Sequence, residues 1–97
     1  MEMYVKITKI MPLNQRQYVD KSGEQQLWKS KGFLLSNGLN EIYAEASGGY
    51  AEKLEQRQFD PTQHYVADLR FRVSEYTDKD GNVRYRNDVE LTRLNVL

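Results

Sequence analysis

The strongest constraint on the fold is a predicted β-hairpin in the last third of the chain. Apolar and polar residues alternate on both sides of Lys79-Asp80-Gly81. A period of two is typical of a strand that buries one face, and a short loop ending in glycine is typical of a hairpin turn. The sequence therefore predicts two long antiparallel strands, at about 65–77 and 83–97.

The register of this hairpin follows from the side chains that must share its inner face. Five apolar residues are expected there: Leu69, Phe71, Val73, Val89 and Leu91. They share a face only if the numbers of paired residues have an even sum. A three-residue loop with Gly81 in the left-handed conformation of a G1 bulge gives such a sum, whereas a two-residue turn does not. We therefore expect Leu69 opposite Leu91, and Phe71 opposite Val89.

The same register distributes the arginines of the outer face. It sets Arg70 against Glu90 and Arg72 against Asp88. Opposite charges at such positions contribute about 0.2 to 1 kcal/mol per pair. These two arginines therefore have a structural explanation.

Nearer the turn, the register sets Tyr76 against Arg84, and Arg86 against a serine. With Lys79 at the tip, these residues form a candidate site, because no acidic residue is expected opposite either arginine. An aromatic ring beside guanidinium groups is suited to single-stranded nucleic acid. A cation-π pair between Tyr76 and Arg84 that merely stabilises the hairpin is an equally good explanation.

The rest of the chain predicts three more strands and a helix. In order, these are a strand at 3–13, a polar loop or hairpin tip at 14–26, a strand at 27–35, a strand at 39–46 and a short helix that carries Tyr50, Ala51 and Leu54 on one side. Asn37-Gly38 predicts a type I′ turn between the second and third strands, with positive φ at both residues.

This order of elements predicts one domain, residues 1–97, with the all-β fold of a five-stranded OB-fold barrel. Its short helix lies between strands 3 and 4, as in that fold. Closure of the barrel removes the edges that short strands would otherwise expose. An SH3-like barrel, or a small open sheet with one helix, is the competing fold.

From Tyr76 onward the sequence resembles the end of the bacterial single-stranded DNA-binding protein family. An aromatic residue, a T-D-x-x-G turn, an R-Y pair and an alternating last strand follow in the family's order. Weaker similarities are Gly48-Gly49-Tyr50-Ala51-Glu52, at the start of the helix, and Arg16-Gln17-Tyr18 with Ser22-Gly23, before strand two. The resemblance implies an OB fold, a homodimer or homotetramer, and single-stranded DNA bound on aromatic side chains.

The resemblance transfers one stacking position, Tyr76. Two other aromatic positions of the family fall at Glu41 and Ser47 here, and the loop between strands two and three shrinks to Asn37-Gly38. The family's flexible acidic tail is expected to be absent after Leu97. A tailless domain of this kind also resembles primosomal replication protein N, a dimeric DNA binder.

Other side chains are candidates to replace the missing contacts. They are the aromatic residues Trp28 and Tyr43 and the lysines Lys6, Lys9, Lys29 and Lys31. The lysines belong to the first 35 residues, which have six basic and three acidic side chains. The competing interpretation places Trp28 in the core or a subunit interface, and leaves the lysines solvated.

Composition excludes most catalytic chemistry. The chain has no cysteine and one histidine, His64, which makes neither a zinc site nor a catalytic centre plausible. No phosphate-binding glycine motif is present, so we expect a non-enzymatic protein without cofactor or metal. No apolar run approaches the ~18 residues of a membrane span, and we expect a cytoplasmic protein.

The leading hypothesis is therefore a single-stranded DNA-binding domain. The net charge of zero is unlike that of strong nucleic-acid binders, but a neutral protein can still present one basic face. The alternative is an OB-fold protein-interaction or assembly module that binds no nucleic acid. An RNA-binding OB domain is not separated from the first hypothesis by the sequence.

Overall fold

The computed structural model describes all residues, 1–97, and consists of one six-stranded sheet and one helix. The elements are β1 Glu2–Ile10, β2 Asn14–Val19, β3 Gln25–Ser36, β4 Glu41–Ser47, α1 Gly48–Glu55, β5 Tyr65–Thr77 and β6 Val83–Val96. Because β1 pairs with both β3 and β5, the strands β1, β3, β4, β6 and β5 form a closed ring. The ring is antiparallel except between β4 and β6. The helix has eight residues, and no helix here has the length and apolarity needed to cross a membrane.

The core fills the inside of the ring and is closed at one end by α1 and the loop after it. The helix buries Ala51 and Leu54 against the core, as its sequence pattern predicts. The hydroxyl of Tyr50 accepts a hydrogen bond from the backbone N–H of Leu94 at 2.6 Å. In the following loop the ring of Phe59 packs edge-on against a core phenylalanine and a core tyrosine. Along the chain the helix lies between the third and fourth ring strands, as predicted.

The polar segment 14–26 is a hairpin, so the sheet has six strands and not the five predicted. Strand β2 pairs along its length with 25–30 of β3, and every side chain of β2 is exposed. Without a buried face, the segment has no apolar alternation for sequence analysis to detect. Asp20 closes the turn by accepting hydrogen bonds from Gln26 and from the N–H groups of Glu24 and Ser22, which lower the pKa of Asp20.

The predicted type I′ turn at Asn37-Gly38 is wrong. Strands β3 and β4 are joined by a four-residue turn, 37–40, in which Gly38 alone has positive φ, at 96°. The side chain of Asn37 accepts hydrogen bonds from the N–H groups of Leu39 and Asn40 at 3.0 and 2.8 Å. This side-chain contact supplies an alternative to the two-residue turn, and β4 consequently begins at Glu41.

The register of the β5–β6 hairpin is confirmed. Leu69 pairs with Leu91 and Phe71 with Val89, and Gly81 has a φ of 82° at the end of a three-residue loop. The pairing continues to the turn without a shift after Leu69.

The predicted burial of this hairpin is only partly right, because the two strands extend beyond the ring. Strand β1 pairs with β5 only as far as Asp68, and β4 pairs with β6 only at Glu90. Residues 70–77 and 83–89 therefore form a two-stranded projection, here called the arm. Phe71 and Val73 are 51% and 67% exposed on it, although they have the orientation of core residues.

Candidate nucleic-acid interface

The outer face of β3 and β4 carries an aromatic ring in a fixed position. Alternate residues of both strands point into the core, so Gly32 and Tyr43 lie on the outside. A Cβ atom built on Gly32 would lie 2.6 Å from Cζ of Tyr43, so the ring packs where only glycine leaves room. The Tyr43 hydroxyl donates to Oε1 of Glu45 at 3.1 Å. Partial burial, and then the Glu45 carboxylate, raise the pKa of Tyr43, which keeps the side chain neutral at physiological pH.

A groove runs between this outer face and the arm. One cavity in it is lined by Trp28, Glu45, Ser47, Arg72, Ser74, Asp88, Val89 and Glu90. A second is lined by Tyr43, Glu45, Arg86, Asn87, Asp88 and Val89. The two cavities have three lining residues in common, so we treat them as one continuous groove.

Tyr76 extends the aromatic surface of the groove along the arm. It alternates with Arg72 and Ser74 on β5, both of which line the groove, so it lies on the same face of the strand. Tyr76, Trp28 and Tyr43 are 50%, 42% and 48% exposed. The structure thus brings together on one face the three aromatic residues that the sequence nominated, and places Trp28 outside the core.

The prediction that Arg84 and Arg86 have no acidic partner is wrong. Nε of Arg84 lies 2.9 Å from Oδ2 of Asp78, and Nε of Arg86 lies 3.1 Å from Oδ1 of Asp88. Neither carboxylate lies directly opposite its arginine in the strand pairing, and the prediction had taken only directly opposite residues into account. Arg84 is therefore engaged at the turn, and it makes no cation-π contact with Tyr76.

The predicted pairing of the other two arginines is also partly wrong. Arg72 contacts Glu90 rather than Asp88, which lies directly opposite it. Arg70 lies opposite Glu90 but has no ion pair. Long side chains in a twisted ribbon reach diagonal neighbours as readily as opposite ones. The pairing of Cα positions therefore does not determine which carboxylate an arginine contacts.

Hydrogen bonds keep the acidic partners ionised. The bond from Arg84, followed by backbone N–H groups of the turn, lowers the pKa of Asp78. The hydroxyl of Ser74 is the main cause of a lowered pKa of Asp88, and Arg86 adds to it. The arginines of the groove are therefore balanced by carboxylates at neutral pH, which gives the groove a mixed charge.

Lys29 and Lys31 lie away from the groove, on the side of the strand that faces α1. Lys29 contacts Glu52, and Lys31 contacts Glu55. Lys31 is buried, and its ammonium group also donates to the carbonyl of Met11 at 2.8 Å. Both lysines attach the helix to β3, and Lys31 has little surface left for a ligand.

The three remaining predicted cations lie in separate places. Lys79 is exposed at the tip of the arm, beyond Arg84. Lys9 lines a cavity with Phe59 and Pro61. Lys6 lines another cavity, together with residues of the turn between β3 and β4 and with His64.

Sequence analysis missed Arg72 and Glu45 as residues of the groove. The parity that placed Tyr76 also places Arg72 on its face, so the signal was present for that residue. A scan of the chain against protein-family models finds no match, and a comparison with curated proteins finds no similar sequence. The resemblance to single-stranded DNA-binding proteins stays a prediction, and the groove itself carries the functional argument.

Proposed function

We propose that this protein is a non-enzymatic OB-fold domain that binds single-stranded DNA in the groove. The observation that carries the proposal is that Trp28 and Tyr43 line the groove and Tyr76 lies on the groove face of the arm, all three about half exposed. Exposed aromatic rings are stacking platforms for bases, at about 1 to 3 kcal/mol per base. The closed ring with its helix after β4 supports the OB assignment, and oligonucleotides bind to the corresponding face and loops of that fold.

In this proposal, stacking provides most of the affinity and charge provides little. Arg72, Arg84 and Arg86 already contact carboxylates, so a phosphate must compete for them. A protein that neutralises few phosphates releases few counterions, and its affinity depends weakly on salt. This explains how a chain with no net charge can still bind a polyanion.

The sole tryptophan of the chain makes the proposal directly testable. Titration with oligo-dT and, in parallel, with oligo-rU should quench the fluorescence of Trp28, because a stacked base contacts its ring. Tyr43→Ala should weaken binding about 5- to 150-fold, the equivalent of one lost stack. Tyr85→Ala, which removes an exposed aromatic residue from the face of the arm opposite to the groove, is the control and should bind normally. The proposal is wrong if neither oligonucleotide binds, or if both variants behave alike.

A second candidate function is self-assembly, favoured by the other face of the arm. Phe71, Val73, Val83 and Tyr85 are 51%, 67%, 53% and 68% exposed there. A two-stranded ribbon is marginally stable alone, and Glu75 is the one charged residue among the strand positions of this face. We propose a second copy of this chain as its partner, because a two-fold axis would place the apolar face against itself.

The expected dimer is weak. The four side chains present roughly 400 Å² per copy, so two copies bury less than the 1,200 to 2,000 Å² that is usual for stable interfaces. Sedimentation velocity over a range of concentrations should show a monomer–dimer equilibrium. The double variant Phe71→Ser with Tyr85→Ser should remain monomeric, whereas a wild-type mass that is independent of concentration and equal to the monomer excludes this assembly.

A further inference from the structure

The cavity that contains Lys6 differs from the groove in having no carboxylate. It has a volume of about 300 Å³ and is lined by Tyr4, Lys6, Thr8, Ser36, Asn37, Gly38 and His64. Lys6 has no ion pair, in contrast to the groove arginines. We call it the donor cavity, for the reason given next.

The polar groups left without a partner in this cavity are mostly donors. Oδ1 of Asn37 accepts two backbone hydrogen bonds, so the amide N–H₂ group of that side chain is free to donate. Oγ of Ser36 accepts from the N–H of Gly38 at 3.1 Å, so its hydroxyl hydrogen is also free. The ammonium group of Lys6 has three donors and no acceptor. An anion that carries several acceptor oxygens is the complementary ligand.

The donor cavity lies beyond the Tyr43 end of the groove. Ser36 pairs with Lys6 on one side, and Leu34, two residues back along β3, pairs with Tyr43 on the other. The Tyr43 ring extends over Gly32, four residues from Ser36, which is about 14 Å along β3. A polynucleotide whose base stacks on Tyr43 can therefore place a phosphate farther along the same strand in the donor cavity.

We propose that the donor cavity binds a backbone phosphate of the same strand whose bases occupy the groove, an inference that rests on the proposed function. Lys6 supplies the charge, and the Asn37 amide and the Ser36 hydroxyl supply directed hydrogen bonds. Glu41 pairs with Ser36 across the sheet and is exposed, but it does not line the cavity. Its carboxylate opposes the phosphate from the side and limits the affinity.

Three variants and one control test this site. Lys6→Gln removes the charge, and Asn37→Asp keeps the turn acceptor but replaces the donor amide by a carboxylate. Glu41→Gln removes the opposing charge, and Lys53→Gln, an exposed lysine on α1, is the control. Circular dichroism establishes that each variant is folded, and each is titrated with oligo-dT at about 50 and about 200 mM salt.

We expect Lys6→Gln to lower the slope of log K against log salt by about 0.7, so that the wild type loses about 2.6-fold more affinity over that salt range. Asn37→Asp should weaken binding, and Glu41→Gln should tighten it. If Lys6→Gln retains the slope of Lys53→Gln while Trp28 is still quenched, the donor cavity is excluded and binding in the groove stands. If the wild-type protein binds no oligonucleotide, both proposals fail.

Discussion

The groove and the donor cavity differ in how the charges of their cations are balanced. In the groove, arginines such as Arg72 and Arg86 contact Glu90 and Asp88, so their charge is balanced and the aromatic rings offer the main binding surface. In the donor cavity, Lys6 has no acidic partner, and Ser36 and Asn37 have free hydrogen-bond donors. The difference teaches that a net charge of zero says little about local binding capacity. On this account the groove binds bases and the donor cavity binds phosphate.

The largest expected effect compares the two faces of the arm. Tyr76→Ala should weaken oligo-dT binding about 5- to 150-fold, because it removes a stacking platform from the groove face. Tyr85→Ala, on the apolar face of the same arm, is a matched control that should change affinity less than about twofold. Fluorescence anisotropy of a labelled oligonucleotide measures both. Equal losses in the two variants would contradict the assignment of the groove to one face.

A smaller effect is expected from the glycine under Tyr43. Gly32→Ala places a methyl group against the ring, so the ring must move, and affinity should fall by up to about tenfold. Gly49→Ala is the control, since a Cβ at that helical position meets no other atom within 4 Å. It should raise the free energy of unfolding by about 0.4 to 1 kcal/mol and leave binding unchanged. Normal binding by Gly32→Ala would show that the position of Tyr43 is unimportant.

The smallest effect concerns the turn of the arm in acid. The pKa of Asp78 is lowered from 3.8 in the folded protein, chiefly by Arg84. Its contribution to stability is therefore complete above pH 3.8 and is lost as the pH falls through the lowered value. NMR should show the amide signals of Asp80 and Asn82, which donate to Asp78, shifting only in that acidic range. In Asp78→Asn this transition should be missing, and its persistence would assign it to another group.

The sequence predicted which side chains share a face of a strand better than it predicted what packs against that face. The alternation of side chains along a strand placed Tyr76 on the groove face and set Phe71 opposite Val89. This alternation does not depend on what packs against the strand. The turn before β4 is two residues longer than predicted, yet a shift of two changes the pairing without exchanging the two faces of the strand.

The sequence did not predict the exposure of the arm or the partners of its arginines. The exposure depends on where the ring of strands ends, and the partners depend on how far long side chains reach. Phe71 lies three residues past Asp68, the last residue of β5 that pairs with β1, so its exposure follows from the length of β1 and from no local feature. The partners of Arg84 and Arg86 depend on the conformations of long side chains, which Cα pairing does not determine. Contact between Tyr43 and Gly32 requires two strands in a register set by the Asn37 turn.

The salt dependence of oligo-dT binding, followed by the fluorescence of Trp28, tests the central claim most directly. If stacking dominates and Lys6 and Lys79 alone neutralise phosphates, log K should fall with log salt with a slope of about −0.7 to −1.4, and Trp28 should be quenched throughout. A slope of about −2.8 or steeper would mean that further cations, arginines among them, neutralise phosphates. That slope, or binding without quenching of Trp28, would contradict the account.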